Sequence, residues 1–278
     1  MSLPVFLAVL LAAVLHAAWN AGIRVGASKV TGMLILSMGQ AGLGLALALT
    51  RPWPEAHVWP WLVASGLVHT CYQLFLALAY EHGDLSRVYP IARGAAPLMV
   101  LGVSALALSD RVTAPEAAGI AVLGTGILLM ARGVRSMGES ARLVPLALCS
   151  ATATAGYTLV DGLGARLSGD PLAYVGWLLF LTTVAYAPLI TGLRGRGVWR
   201  AAPRAWATGL AGPVASCGAY AIAVWAMTQA PIALVGALRE TSILFAVLIG
   251  WLAFGERMDR GKAAAAALIL AGVALTRL

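Results

Sequence analysis

Charged residues are scarce in this chain. Aspartate, glutamate, lysine and arginine together make up 11% of its 278 residues, whereas a water-soluble domain carries roughly 25%. Hydrophobic residues reach 60%, and the mean hydropathy is +0.86. Because this much apolar surface exceeds what a soluble core can bury, the composition excludes a water-soluble multi-domain protein.

Signatures of cofactor chemistry are also missing. The sequence has no Walker loop and no GxGxxG motif after a strand; Gly124 and Gly126 lie inside an apolar run and indicate helix packing. The potential metal ligands lack metal-binding spacing, since the three cysteines and four histidines are scattered at positions 71, 149, 217 and 16, 57, 69, 82. We therefore expect no metal, no cofactor and no enzymatic activity.

Long apolar runs fill the chain instead. Each is close to the roughly 20 residues that a transmembrane helix needs, and a lipid-exposed backbone of this kind must be helical to satisfy its hydrogen bonds. The predicted fold class is all-α integral membrane, with ten spans at Leu3–Ile23, Thr31–Thr50, Trp59–Tyr80, Leu85–Leu108, Ala114–Ala131, Leu143–Leu163, Leu172–Leu193, Ala205–Met227, Ala233–Leu252 and Lys262–Thr276.

The second half of the chain repeats the first. Arg93 meets Arg239 at an offset of 146 residues, and Trp19 meets Tyr157 at an offset of 138. An odd number of spans per repeat makes the second repeat enter the membrane from the opposite side, so the repeats are inverted, with a binding site between them, as in many secondary transporters. The prediction is two five-helix repeats and a connecting loop, at residues 1–131, 143–278 and 132–142.

The net charge of +8 does not indicate nucleic-acid binding, because the basic residues form no run with interleaved aromatic side chains. Thirteen of them follow odd-numbered spans, whereas four follow even-numbered spans or lie at the termini. Since loop lysines and arginines favour the cytoplasmic side, this distribution predicts that both termini lie outside the cytoplasm.

Polar side chains inside the spans recur at helical spacing. His16, Trp19 and Asn20 form one stripe. Because lipid disfavours such side chains, we expect them to face a shared hydrated cavity. The predicted substrate-binding residues are His16, Trp19, Asn20, His69, Tyr72, Gln73, Tyr89, Arg93, Tyr157, Ser216, Tyr220, Arg239 and Glu240.

This set of side chains predicts a small zwitterion, such as an amino acid, as the substrate. Rings offer stacking surfaces, an arginine can bind a carboxylate, and Glu240 can hold an ammonium group. A purely structural role for Arg93 and Arg239 stays open. Glu240 points about 100° away from Arg239 around a continuous helix, which predicts no local ion pair between them. Asp161 lies near the end of its span, where solvation is the simpler interpretation.

Two segments resemble the ten-helix EamA branch of the drug/metabolite transporter superfamily. LALSDRVTAPEAAGIAVLGTGILLM at 106–130 and LAFGERMDRGKAAAAALILAGVAL at 252–275 each combine a span end, an acidic residue, a short turn and a glycine-rich span. HAAWN at 16–20 is similar to the family's aromatic-rich first span. Gly255 and Glu256 match the family pattern, whereas Asp110 replaces the glutamate expected in the first repeat.

The resemblance implies a helical bundle around a central cavity that works by alternating access. Amino-acid exporters of this branch, including the YddG group of aromatic amino-acid exporters, are the most similar in length and cavity character. They imply amino-acid export across a bacterial inner membrane by a multi-pass protein. The resemblance also implies cytoplasmic termini, which is opposite to the charge distribution.

Two alternative functions remain at this point. One is an exporter of lipophilic cations or drugs, with Glu240 as its binding centre. The other is a membrane enzyme for lipid-linked substrates, which would need His, Asp and Glu clustered at one membrane face, unlike the mid-span positions here. In each transport hypothesis the partners are a small molecule and the lipid bilayer, and we expect a monomer.

Overall fold

The computed structural model describes residues 1–22, 29–82, 85–108, 110–130, 142–202, 205–206, 211–254 and 260–278. Several sequence-based predictions fall outside this part. They are the side chains of Asn20 and Tyr89, the inter-repeat loop except for residue 142, and the Gly255–Glu256 motif.

The described residues form helices joined by short connections. The helices are α1 (Leu3–Gly22), α2 (Lys29–Leu49), α3 (Trp59–Glu81), α4 (Leu85–Ala107), α5 (Ala114–Met130), α6 (Leu143–Ser168), α7 (Pro171–Arg194), α8 (Ala211–Gln229), α9 (Ile232–Arg239), α10 (Ser242–Phe254) and α11 (Arg260–Leu275). Short 3-10 turns lie at Ala56–Val58 and Arg196–Trp199. The predicted all-α class is confirmed.

Six stretches of the described residues are long and apolar enough to cross a membrane. They are Val30–Leu49, Ala56–Ala79, Pro90–Ala107, Leu143–Ser168, Pro171–Arg194 and Ile232–Ile249, and the shorter apolar helices are Leu3–Trp19 and Ala114–Leu129. These stretches support a multi-pass membrane protein.

The turn between α6 and α7 shows how local sequence sets the helix ends. Gly169 adopts a left-handed conformation with φ of 68° and ends α6, which glycine does without a Cβ clash. The Asp170 carboxylate accepts hydrogen bonds from the N–H groups of Leu172 and Ala173, and Pro171 occupies the first turn of α7. The two helices therefore reverse direction within a few residues.

The ninth predicted span, Ala233–Leu252, is not one continuous helix. α9 ends at Arg239, Glu240 and Thr241 form a turn, and α10 begins at Ser242. The N–H of Glu240 bonds to the carbonyl oxygen of Ala237, three residues back rather than four. This break changes the directions of the side chains at 239 and 240.

Helices at equivalent positions of the two predicted repeats pack against each other. α2 packs against α7, and α5 packs against α11. The third helix of each repeat also packs against the first helix of the other repeat, in the α3–α6 and α8–α1 contacts. Small residues allow the backbones to approach closely. A Cβ atom added at Gly119 would lie 2.7 Å from the carbonyl oxygen of Gly272, and one added at Gly272 would lie 2.7 Å from the carbonyl oxygen of Gly119. The backbones of α5 and α11 therefore pack in close contact at these two glycines.

One end of the bundle, which we call the ion-paired end, is held around Asp110. Arg166 at the end of α6 donates to both carboxylate oxygens of Asp110, at 2.6 and 3.1 Å, and the Ile232 N–H donates at 2.9 Å. Arg166 also donates to the carbonyl oxygens of Met227 and Ala230. The ends of α4, α6 and α8 and the start of α9 are thereby joined.

Other contacts assign further chain segments to the ion-paired end. Arg277 donates to the carbonyl oxygen of Met1 at 3.0 Å, and Met1 packs against the apolar cluster that contains Ile232. Arg51 after α2 pairs with Asp170 before α7 at 3.8 Å. Both termini therefore lie at this end.

Candidate functional site

A cavity lies among the helices and is lined by ten of the eleven predicted substrate-binding residues whose side chains the structure describes. Its empty volume, open mouth included, is about 590 Å³. The lining consists of His16, Trp19, Leu36, Gln40, His69, Tyr72, Gln73, Arg93, Tyr157, Leu179, Thr182, Ser216, Tyr220 and Arg239. The helical stripes read from the sequence thus do face one shared space.

The cavity spans the middle of the bundle and extends away from the ion-paired end. Its residues come from the C-terminal half of α1 and the N-terminal halves of α4 and α8, with further residues near the middle of α6 and α7. Because consecutive spans alternate in direction, these halves point to the same end, opposite to the ion-paired end. The described apolar cluster around Val5, Val9 and Ile232 fills the space on the other side.

Aromatic rings form the centre of the cavity wall. The His69 and Tyr157 rings stack with centroids 4.0 Å apart and planes 19° apart. Tyr72 and Tyr220 meet the Tyr157 ring edge-on at 5.4 and 6.3 Å. These side chains come from α3, α6 and α8, so Tyr157 is a meeting point of both predicted repeats.

Two arginines share one buried carboxylate beside these rings. Arg93 Nε lies 2.8 Å from Glu240 Oε2, and Arg239 Nη2 lies 3.4 Å from Glu240 Oε1. Both arginines also donate to the Tyr157 hydroxyl at 3.3 Å, and Arg93 Nη2 lies 3.2 Å from His16 Nε2. Two guanidinium charges face one carboxylate, so the group carries a net charge of +1.

The prediction that Arg239 and Glu240 form no local ion pair is wrong. It assumed a continuous helix with 100° between neighbours, but α9 ends at Arg239 and Glu240 lies in the following turn. Glu240 is also not a lining residue: it is 1% exposed and is held by both arginines. The two arginines at equivalent repeat positions therefore converge on it.

Asp161 is a second buried carboxylate, and the interpretation of it as a solvated side chain is wrong. α6 continues for two further turns to Ser168, and Asp161 has no solvent exposure. Its oxygens accept hydrogen bonds from the hydroxyls of Ser65 and Tyr220, and from Tyr174 at 3.4 Å. His69 Nε2 lies 2.9 Å from Asp161 Oδ2.

Some polar contacts of the site were missed from the sequence. Gln40 donates to the Ser216 hydroxyl at 2.9 Å, which links α2 with α8. The Ser37 hydroxyl donates to Gln73 Oε1 at 3.1 Å. The available signal was a polar side chain inside an apolar run, the same signal that identified His16 and Gln73.

The second half of the chain is similar to a known family. Residues 142–278 match the EamA-like transporter family. The match covers the predicted second repeat, and the likeness to this family of transporters concerns that half of the chain. No curated protein matches this chain significantly.

Solved structures extend the similarity to the whole chain. One of them, described only as the crystal structure of a protein, has a TM-score of 0.76 with this chain at 21% sequence identity. The similarity covers 99% of this chain and 96% of the other. At this identity it concerns the fold alone, but it shows that both halves belong to one known architecture.

Proposed function

We propose that this chain is an EamA secondary transporter that exports amino acids and similar small amphipathic metabolites across a bacterial inner membrane. The observation that carries the proposal is the charge of the cavity wall. Arg93 and Arg239 line the cavity, while Glu240 lies behind them and neutralises one of their charges. The three side chains together have a formal charge of +1, and a substrate carboxylate in the cavity would meet two guanidinium groups.

The rest of the cavity wall fits the other parts of an amino acid. Tyr72, Tyr157, Tyr220 and Trp19 offer ring faces and edges for an aromatic or aliphatic side chain. An exporter of aromatic amino acids, of the YddG kind, is the most specific form of the proposal, and the stacked rings around Tyr157 are its support.

The proposal includes ten spans in two inverted repeats, residues 1–131 and 143–278, joined by the loop 132–142. The α5–α11 contact supports it, because Gly119 approaches Gly272 and Gly126 approaches Ala265. With the repeat offset of 146 residues, Gly119 corresponds to Ala265 and Gly126 corresponds to Gly272. Exchanging the repeats therefore converts the Gly119–Gly272 contact into the Gly126–Ala265 contact. A two-fold axis between the repeats accounts for this pattern.

Alternating access follows from the two different ends of the bundle. The cavity extends towards the end at which the described residues Arg142, Arg194, Arg196, Arg200, Arg260 and Lys262 lie, and the positive-inside rule assigns this end to the cytoplasm. The structure then corresponds to a cytoplasm-open state, and export requires the ion-paired end to open. Labelling of single cysteines near either terminus in intact cells tests this orientation against cytoplasmic termini.

The lipophilic-cation alternative is less well supported. It needs a carboxylate that is free to bind a cation, and Glu240 was the candidate. Both Glu240 oxygens already face arginines, and the side chain does not line the cavity. A cation at this position would also meet the net positive charge of the two arginines.

Counterflow in proteoliposomes tests the proposal. The purified protein is reconstituted with an unlabelled amino acid inside, and uptake of a labelled panel that includes phenylalanine, leucine and threonine is measured. We expect counterflow, and we expect Arg239→Gln to lower it about tenfold or more, because charge-assisted hydrogen bonds contribute about 1.5–3 kcal/mol.

The matched control is Arg277→Gln, which removes an arginine at the C-terminus that does not line the cavity. Its counterflow should equal that of the unmodified protein. Absence of counterflow for every amino acid would overturn the substrate class, and equal rates for Arg239→Gln and Arg277→Gln would overturn the role of the arginine.

A further inference from the structure

We infer that His69 and Asp161 form a proton-binding site, and that the bound proton and the ammonium group of the substrate exclude each other there. The protein would then exchange a proton for each substrate molecule. This inference deepens the proposed amino-acid transport and rests on it.

The partners of the two buried carboxylates differ in kind. Glu240 is held by Arg93 and Arg239, and arginine keeps its charge at every physiological pH. Asp161 Oδ2 lies 2.9 Å from His69 Nε2, and no arginine or lysine of the described residues pairs with this carboxylate. Histidine is the side chain that gains and loses a proton near neutral pH. Of the two carboxylates, only Asp161 has a counter-charge that depends on a proton.

The other partners of Asp161 stabilise its charge without neutralising it. The hydroxyls of Ser65, Tyr174 and Tyr220 donate to its oxygens, and all three are neutral groups. A buried carboxylate without a counter-charge is costly, and His69, at 2.9 Å from Asp161 Oδ2, is the ionisable side chain that can supply one by binding a second proton. The pair therefore provides a place for one exchangeable proton.

Charged and titratable groups surround the pair on several helices. Tyr174 from α7 and Tyr220 from α8 contact Asp161 directly. Tyr157 of α6 stacks on the His69 ring, and beyond it Arg93 from α4 and Arg239 from α9 donate to the Tyr157 hydroxyl. The Arg239 guanidinium also lies over the Tyr157 and Tyr220 rings, 5.5 and 5.8 Å from their centroids, so these two rings stand between Arg239 and the His69–Asp161 pair.

His69 connects this proton site to the cavity. Asp161 is fully buried, whereas His69 lines the cavity and is 8% exposed. A substrate carboxylate held by Arg93 and Arg239 at the Tyr157 hydroxyl places its ammonium group on the neighbouring His69 side. Two positive charges at adjacent positions repel strongly in a site of low dielectric constant. Either the proton or the ammonium group therefore supplies the positive charge that Asp161 requires.

Exchange through such a site has a defined direction. In the cytoplasm-open state an entering amino acid displaces the proton, and at the opposite face a proton displaces the amino acid. Each cycle moves one substrate outwards and one proton inwards. The inward proton gradient of a bacterial inner membrane would then drive export.

Proteoliposomes loaded with phenylalanine and a fluorescent pH dye test this inference. We expect phenylalanine efflux to acidify the lumen, by about one proton per molecule. Counterflow of labelled phenylalanine is measured in the same vesicles, since it reports transport without a proton gradient. Counterflow without acidification, or with alkalinisation, would overturn the proton site and leave the proposed transport function intact. No counterflow would overturn both.

Two variants test whether the acidification depends on His69 and Asp161. Asp161→Asn and His69→Gln keep hydrogen-bonding groups but remove the titrating pair, and we expect acidification per phenylalanine to fall at least fivefold in whichever variant reconstitutes. Asp110→Asn is the matched control, because it makes the same chemical change outside the cavity, and it should keep the ratio of the unmodified protein. A loss of acidification in Asp110→Asn as large as that in Asp161→Asn would overturn the assignment.

Discussion

Asp110 and Asp161 are two aspartates that each accept several hydrogen bonds, but their partners differ in chemistry. Asp110 receives two bonds from the Arg166 guanidinium and one from the Ile232 N–H. Asp161 receives its bonds from three hydroxyls and faces one histidine. The first lies at the ion-paired end and the second beside the cavity.

The difference shows that the partner, more than burial, decides what a carboxylate can do. Burial alone would raise the pKa of Asp110, but the hydrogen bonds from Arg166 and Ile232 and the charge of Arg166 outweigh burial and hold the pKa below its ordinary value of 3.8. The pair with Arg166 is therefore a fixed connection, which the proposed export cycle would have to break as a whole. Beside the cavity, the ionisable partner of Asp161 is a histidine and not an arginine.

The largest expected effect comes from removing the partner of Asp110. Arg166→Gln leaves a mostly buried carboxylate without its counter-charge and also removes bonds to two carbonyl oxygens. We expect a loss of about 2–3 kcal/mol in stability, measured as a lower midpoint of thermal unfolding in detergent. Hydrogen exchange at the Ile232 amide should become faster. An unchanged midpoint and unchanged exchange would contradict the fixed connection.

A second variant gives Asp110 the kind of partner that Asp161 has. In Arg166→His the new histidine gains an anionic neighbour, so its pKa in the folded protein is raised above the ordinary 6.5 or so. The stabilising contribution of this histidine is complete below its ordinary pKa, and it is lost as the pH rises through the raised pKa of the folded protein. We expect the unfolding midpoint to fall between about pH 6 and pH 8.

In the unmodified protein the Asp110 contribution is complete above pH 3.8 and is lost only as the pH falls through the lower folded-state pKa. Its Asp110–Arg166 pair should therefore give no such decline between pH 6 and pH 8. A flat profile for Arg166→His would show that the partner's protonation does not control this connection.

Much of this architecture could be predicted from the sequence because lipid imposes simple rules. Long apolar runs must be helices, and polar side chains within them must face a shared space. These two rules correctly brought His16, His69, Tyr157 and Arg239 to one cavity. The offset between Arg93 and Arg239 also indicated their related positions.

The errors have a common physical cause, since they depend on where a helix ends or breaks. Asp161 was assigned to solvent because its span was expected to end at residue 163, but α6 reaches Ser168. Glu240 was placed on a continuous helix, but the chain turns at 240 and 241. No proline or glycine marks this break, and it brings the Glu240 carboxylate within reach of Arg93 and Arg239. Such a break follows from tertiary packing, which overrides local propensity.

The smallest expected effects come from removing the neutral hydroxyls around Asp161. The loss of stability in each variant ranks these hydrogen-bond partners by strength. Ser65→Ala removes a buried donor to Asp161 Oδ1, and we expect a loss of about 1 kcal/mol in stability. Tyr174→Phe should cost less, because the Tyr174 hydroxyl is 3.4–3.5 Å from each of its three acceptors, at the limit of hydrogen bonding, while the ring that packs against Gly164 is retained. Thermal unfolding of both variants in one detergent measures the order. If Tyr174→Phe were the more destabilising of the two variants, Ser65 would be the weaker partner of Asp161. The Tyr174 hydroxyl would then hold Asp161 more strongly than its distances indicate, and the comparison with Asp110 would have to take this bond into account.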